Sequence, residues 1–269
     1  MGACHELSAD QMPPPAESAE GLARGNAHVT TMSGMVTEPH SLLPFDDMTR
    51  PRTPAELAAW VADRCEAFAK SESAREPGLM RRRPFKEFYE EIYPLSLWAT
   101  RYYSGREDVY ITPNLDNRPF DAVVRDSATT PTSELLVEIT TAQSPQQHLY
   151  MEYFLNHGNV WLWAPLSAIG TKGNRKIHVE PMMVDQSELV DRHCGWIKVA
   201  AEGKASKADH YSRSHVLLIV FDDNFYPTPA DITTITDFVN QNVLPLSLNF
   251  AKLYLVGISG QTHLSFPLI

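Results

Sequence analysis

Cysteine is nearly absent from the chain. Cys4, Cys65 and Cys194 are the only three in 269 residues, an odd number with no CxxC pair, which argues against a disulfide framework and against a zinc site. A reducing compartment, the cytoplasm, is expected. Long apolar runs are also missing. None approaches the roughly 18 residues a membrane-spanning helix needs, and the N-terminus lacks the charged-then-apolar order of a signal peptide, so no membrane association is expected. Positive charge is in deficit: 23 Lys and Arg against 33 Asp and Glu give a formal charge of −10. A broadly basic nucleic-acid-binding surface is thereby excluded, because phosphate contacts draw their affinity from Lys and Arg, and any such contact must be local. GxGxxG, P-loop, HExxH and GxSxG patterns do not occur, so dinucleotide, nucleotide-phosphate, zinc-protease and serine-hydrolase chemistries lack their minimal residues.

What the chain does have is 43% hydrophobic residues with 10% aromatics, the composition of a globular protein. Residues 1–52 are the exception. They are rich in proline and poor in large apolar residues, and they predict a disordered tail before a single α/β domain over 53–269. Thr53-Pro54-Ala55-Glu56 reads as an N-cap, a proline at the first helical position and a first-turn acid, opening a helix near 54–70. Phe85, Phe88, Ile92, Leu95, Trp98 and Tyr102 recur at three and four residues, predicting a second amphipathic helix kinked at Pro94. The period then shortens. Runs at 108–112, 120–124 and 134–139 predict three consecutive strands in a meander, and Ser144-Pro145 opens a helix that Gly158 closes. Further strands are predicted at 161–163, 176–179, 215–221 and 252–257, with helices over 187–207 and 230–243. The run 215–221 is apolar throughout, as in a strand buried on both faces.

Two carboxylates stand inside this pattern. Asp121 lies in an apolar strand and Glu138 lies between Val137 and Ile139, where a charged group needs a metal, a cation or a strong hydrogen-bond network to offset desolvation. The competing reading is that each projects from the solvated face of a half-exposed sheet. The order helix, three strands, helix, strand, with Pro119-Phe120-Asp121 on the second strand and Glu138-Ile139-Thr140 on the third, resembles the PD-(D/E)XK nuclease superfamily over about residues 84–164. The resemblance implies a restriction-endonuclease-like αβββαβ core: a central mixed β-sheet flanked by helices, with a C-terminal α/β extension. It also implies metal-dependent hydrolysis of nucleic-acid phosphodiester bonds, DNA before RNA, with Asp121 and Glu138 sharing Mg²⁺ or Mn²⁺, hard cations that prefer oxygen ligands.

The resemblance assigns further residues. An acid on the preceding helix is matched by Glu90 or Glu91, Glu90 as an added metal ligand and Glu91 as a catalytic acid. Thr140 stands where the motif carries lysine, and the missing cation can come from Lys86, Lys198, Lys204 or Lys207. Gln143 is a neutral candidate for orienting a water. Gln146 and Tyr150, in a Gln-x-x-x-Tyr spacing, and the basic cluster Arg82, Arg83 and Lys86 are candidate nucleic-acid contacts; an exposed arginine run is equally a solvated helix cap. Trp161 and Trp163 read as core or interface rather than a base-stacking platform. Two rivals remain: a nuclease fold that binds without cutting, which Thr140 favours, and an acyl- or phosphate-handling enzyme, for which no nucleophile is found. The acidic balance also permits a toxin or defence nuclease restrained by an inhibitory protein partner, and a homodimer is the other partner considered.

Overall fold

The computed structural model describes residues 39–116, 118–161, 163–171 and 174–268; residues 1–38 of the expected tail lie outside them. Order begins earlier than the composition predicts. Two one-turn helices, Pro39–Leu42 and Phe45–Met48, precede residue 53, and Leu43 and Met48 are buried in the core. Arg52 bridges to the first strand through Arg52 N to Ile111 O at 3.0 Å and Ile111 N to Arg52 O at 2.8 Å. A proline-rich stretch can be held by few side chains if each is large and fully buried, a signal that composition averages away.

Helix α1 spans Pro54–Ala69 behind the expected capping box: Glu56 N donates to Thr53 Oγ1 at 3.3 Å and Thr53 N to Glu56 Oε2 at 2.9 Å. Helix α2 spans Glu72–Leu79. The second amphipathic segment is three pieces in series, an α-turn Phe85–Glu87, a π-helical turn Phe88–Ile92 and helix α3, Tyr93–Tyr102. Pro94 accounts for the change of winding, because it has no N–H to bond the carbonyl of residue 90 and its ring crowds that carbonyl.

Strands β1 (Val109–Pro113), β2 (Ala122–Asp126) and β3 (Ser133–Ala142) form the expected antiparallel meander. Helix α4 spans Gln147–His157 and ends on Gly158 at φ 76°. The hairpin of β4 (Leu166–Thr171) and β5 (Asn174–Val179) forms its own two-stranded sheet. Of the strand expected at 161–163, Trp161 is exposed and outside any strand, and Trp163 sits in a turn at φ 64°. Helix α5 (Gln186–Ala205), β6 (His215–Phe221), α6 (Pro229–Asn242), β7 (Lys252–Gly257) and β8 (His263–Pro267) complete the chain.

The main sheet is mixed, in the order β1-β2-β3-β6-β7-β8, with β3, β6 and β7 parallel. Alternation along β3 and β6 sorts the core into two layers. Val137, Ile139, Leu218 and Val220 pack with Leu57, Phe88 and Trp98 on the side of α1 and α3. Ala142, Leu217, Ile219 and Phe221 pack with Ile197, Ile235 and Val239 on the side of α5 and α6. The α/β class with a mixed central sheet and flanking helices is therefore as expected. Among the described residues no helix is long and apolar enough to cross a membrane.

Candidate active site

The site forms where β2 and β3 part. Backbone pairing with β1 continues to Asp121, whose carbonyl accepts from Asn114 N at 2.7 Å. On the other side the ladder that pairs Ala122 with Val137 slips by one residue, and Asp121 N donates to Val137 O at 2.8 Å. The next N–H of β3 facing β2, that of Ile139, donates instead to the Asp121 carboxylate, Oδ2, at 2.6 Å. Asp121 thus closes the fork with its side chain where the backbone no longer reaches.

Glu138 has the alternation of Ala142 and points toward α5. It is buried, and its Oε1 accepts from two donors: the ammonium of Lys204, in the last turn of α5, and Tyr211 Oη at 3.1 Å. Of the four lysines the sequence left open, Lys204 reaches the acid. Lys198 pairs with Glu202 on the same helix at 2.8 Å. Lys86 is exposed. Burial raises the Tyr211 hydroxyl pKa, and Glu138 raises it further, so the phenol stays a proton donor.

Three acids feel one another here. Burial, then the charge of Glu138, pushes Asp121 from its ordinary 3.8 up to about 7, against the opposing pull of Ile139 N–H and Lys204. Burial, then Asp121 and Glu87, pushes Glu91 from 4.5 up to about 8. Glu91 is therefore the helix acid coupled to Asp121. Glu90, expected as a metal ligand, has its pKa raised by burial but lowered by Lys86 and Arg81; it lines a separate cavity beside Arg81. Among the described residues no three His, Cys, Asp or Glu side chains converge in a metal-holding group.

An open pocket of about 530 Å³ lies over Glu138, lined by Arg118, Pro119, Lys204, Lys207, His210 and Tyr211. It is a local basic surface on an acidic protein; the sequence had offered Lys204 and Lys207 of its cationic residues but not Arg118 or His210. Arg118 had a signal, since it adjoins Pro119-Phe120-Asp121. His210 and Tyr211 had none, because they follow α5 in a 3₁₀ turn whose approach to β3 only the folded chain defines. By alternation Thr140 is on the same face as Glu138, whereas Gln143 lies beyond it and lines the cavity that Glu90 lines.

The expected nucleic-acid contacts lie elsewhere. Arg82 pairs with Glu76 at 2.5 Å and Arg83 with Glu87 at 2.6 Å, both near the surface. Gln146 is exposed at the start of α4. Tyr150 is buried, and its hydroxyl donates to Ala164 O at 2.5 Å. No protein-family model, no curated protein and no solved structure matches the chain.

The shifted acids fix a pH dependence. Asp121 and Glu91 hold more protons folded than unfolded, so their contribution to stability is fully present below about pH 4 and is lost as pH rises through about 7 to 8. For the metal-free protein, urea unfolding at about pH 8 is expected to give a free energy lower than at about pH 5, by up to about 6 kcal/mol from these groups. The double variant Asp121→Asn, Glu91→Gln is expected to lose most of that slope. An unchanged slope refutes the assignment.

Proposed function

We propose that the protein is a divalent-metal-dependent nuclease, a divergent member of the PD-(D/E)XK superfamily that hydrolyses DNA phosphodiester bonds. The single observation that carries the reading is Lys204: α5 supplies to Glu138 the cation that Thr140 withholds from the motif position. The helix, three antiparallel strands, helix and parallel strand running from α3 to β6 support the restriction-endonuclease-like core, with the β4–β5 hairpin and α5 inserted ahead of the last strand.

The chain's own groups divide the work. Asp121 and Glu138 would hold Mg²⁺ or Mn²⁺ through carboxylate oxygens, and Glu91, coupled to Asp121, retains a proton near neutrality that it can exchange with water or a leaving oxygen. Lys204 offers an ammonium beside Glu138 to a phosphate oxygen as negative charge grows on it. Arg118, Lys207 and His210 would seat the flanking backbone. When bound, the metal supplies charge neutralisation and a water of lowered pKa.

The test is calorimetry with Mn²⁺ beside a cleavage assay on plasmid and single-stranded DNA. The wild type is expected to bind and cut, and Asp121→Ala and Glu138→Ala to lose both. Metal and DNA binding without cleavage would favour the non-cutting binding module, and absence of metal binding overturns the reading.

A further inference from the structure

Arg81, Trp163 and Tyr226 are the non-glycine residues with positive φ among the described residues, at 49°, 64° and 53°. Large side chains avoid this region, and the cost of holding them there is concentrated at functional positions. Two of the three, Arg81 and Trp163, line one cavity of about 630 Å³ at the carboxyl ends of β3 and β6. That volume is in the range of small-molecule sites.

The walls are chemically specific. Tyr89, Trp163 and Trp196 supply aromatic faces, and Gln143 and Gln147 supply amides that can both donate and accept. The Arg81 guanidinium lies over the Tyr89 ring at 4.2 Å, and its Nη1 is buried with no hydrogen-bond partner. A buried donor without an acceptor costs free energy that an anionic ligand would recover. Trp163, expected in the core or at an interface, packs against the second core layer and also lines this space. Thr141 and Gln143 of the lining follow Glu138 along β3, and Thr141 is about 10 Å from it at the usual rise per residue. Glu90 of the lining adjoins Glu91.

We infer that this cavity binds one nucleotide of the substrate, its base between the aromatic walls and against the two glutamine amides, and its phosphate on Arg81. The choice of a nucleotide rests on the nuclease reading; the anion-binding, aromatic character of the cavity does not. Such a site takes a base out of the stack, reading it by ring contacts and amide hydrogen bonds, and would impose a sequence or strand-end preference on cleavage.

Calorimetry on the full chain in EDTA, with the four deoxynucleoside 5′-monophosphates and inorganic phosphate as probes, decides it. At least one nucleotide is expected to bind one site per chain, at least tenfold more tightly than inorganic phosphate. Arg81→Gln and Gln147→Ala are expected to weaken it at least tenfold and fivefold respectively. The second variant is on a half-exposed helix start, so it reports even if Arg81→Gln does not fold. No nucleotide binding into the millimolar range, equal binding of inorganic phosphate, or wild-type affinity in either folded variant overturns the inference. Because metal is absent, a chain that binds nucleotide here but never binds Mn²⁺ defeats the nuclease reading alone, and the reverse result defeats this one alone.

Discussion

Lys204→Ala is expected to lower DNA cleavage by roughly two to three orders of magnitude, the usual loss when one preorganised donor to a developing negative charge is removed. Mn²⁺ binding is expected to persist, because Asp121 and Glu138 remain. Glu138 is buried and shares its Oε1 between Lys204 and Tyr211, so the variant also leaves a carboxylate short of a cation and is expected to melt lower. Cleavage is therefore compared at a temperature where circular dichroism shows both proteins folded. A second substitution distinguishes chemistry from folding. Thr140 shares the face of Glu138 two residues on, so Thr140→Lys in the Lys204→Ala background returns an ammonium to the same carboxylate from its own strand. Partial recovery of turnover is expected; full activity in Lys204→Ala itself removes the lysine from the mechanism.

Gly257→Ala is expected to destabilise the fold by about 3–5 kcal/mol. A Cβ on Gly257 would come within 2.0 Å of Asp223 Oδ2 and 2.3 Å of its Cγ, which no rotamer of the methyl relieves. Asp223 cannot retreat freely, because its carboxylate accepts from Ser259 N at 2.7 Å, Ser259 Oγ at 2.7 Å and Thr262 N at 3.3 Å, and so ties the turn between β7 and β8. Moving it leaves buried donors unpaired. Asp223→Ala alone is expected to cost less than Gly257→Ala, and the double variant to cost clearly less than the sum, since the clash disappears with the carboxylate. Chemical denaturation of the four proteins measures the coupling, and strict additivity contradicts the geometry.

The elements that the sequence made legible are those whose local pattern and tertiary environment agree. The Thr53 capping box, the apolar run of β6 and the Gly158 helix end are all where periodicity and capping residues put them. β8 was missed because His263-Leu264-Ser265-Phe266-Pro267 has little strand composition and is held by pairing with β7. Trp161 and Trp163 imitate strand alternation, but the backbone there turns. In the site, Asp121 and Glu138 were legible because acids inside apolar runs demand an explanation. The choice of Lys204 among four lysines was not, because it lies 66 residues from Glu138 and depends on how α5 crosses the sheet. For the basic cluster Arg82 and Arg83, the sequence did not show that nearby acids, Glu76 and Glu87, pair with it.

The π turn at Phe88–Ile92 carries a spare residue. A π turn accommodates one residue more than an α-helix would over the same span, and one residue is about 100° of rotation around a helix axis. Deleting one residue within this turn would let the helix wind regularly and leave Phe85 and Phe88 on one side and Leu95 and Trp98 on the other, all buried, facing the sheet as before, whereas a deletion in either flanking α-helical stretch would swing one of these pairs away by that angle. In a set of diverged sequences, a one-residue gap between Phe85 and Trp98 should therefore fall within the π turn and not in the helical turns that flank it. Spacing within each flank, Phe85 to Phe88 and Leu95 to Trp98, is a more durable signature of this protein than the residue after Ile139.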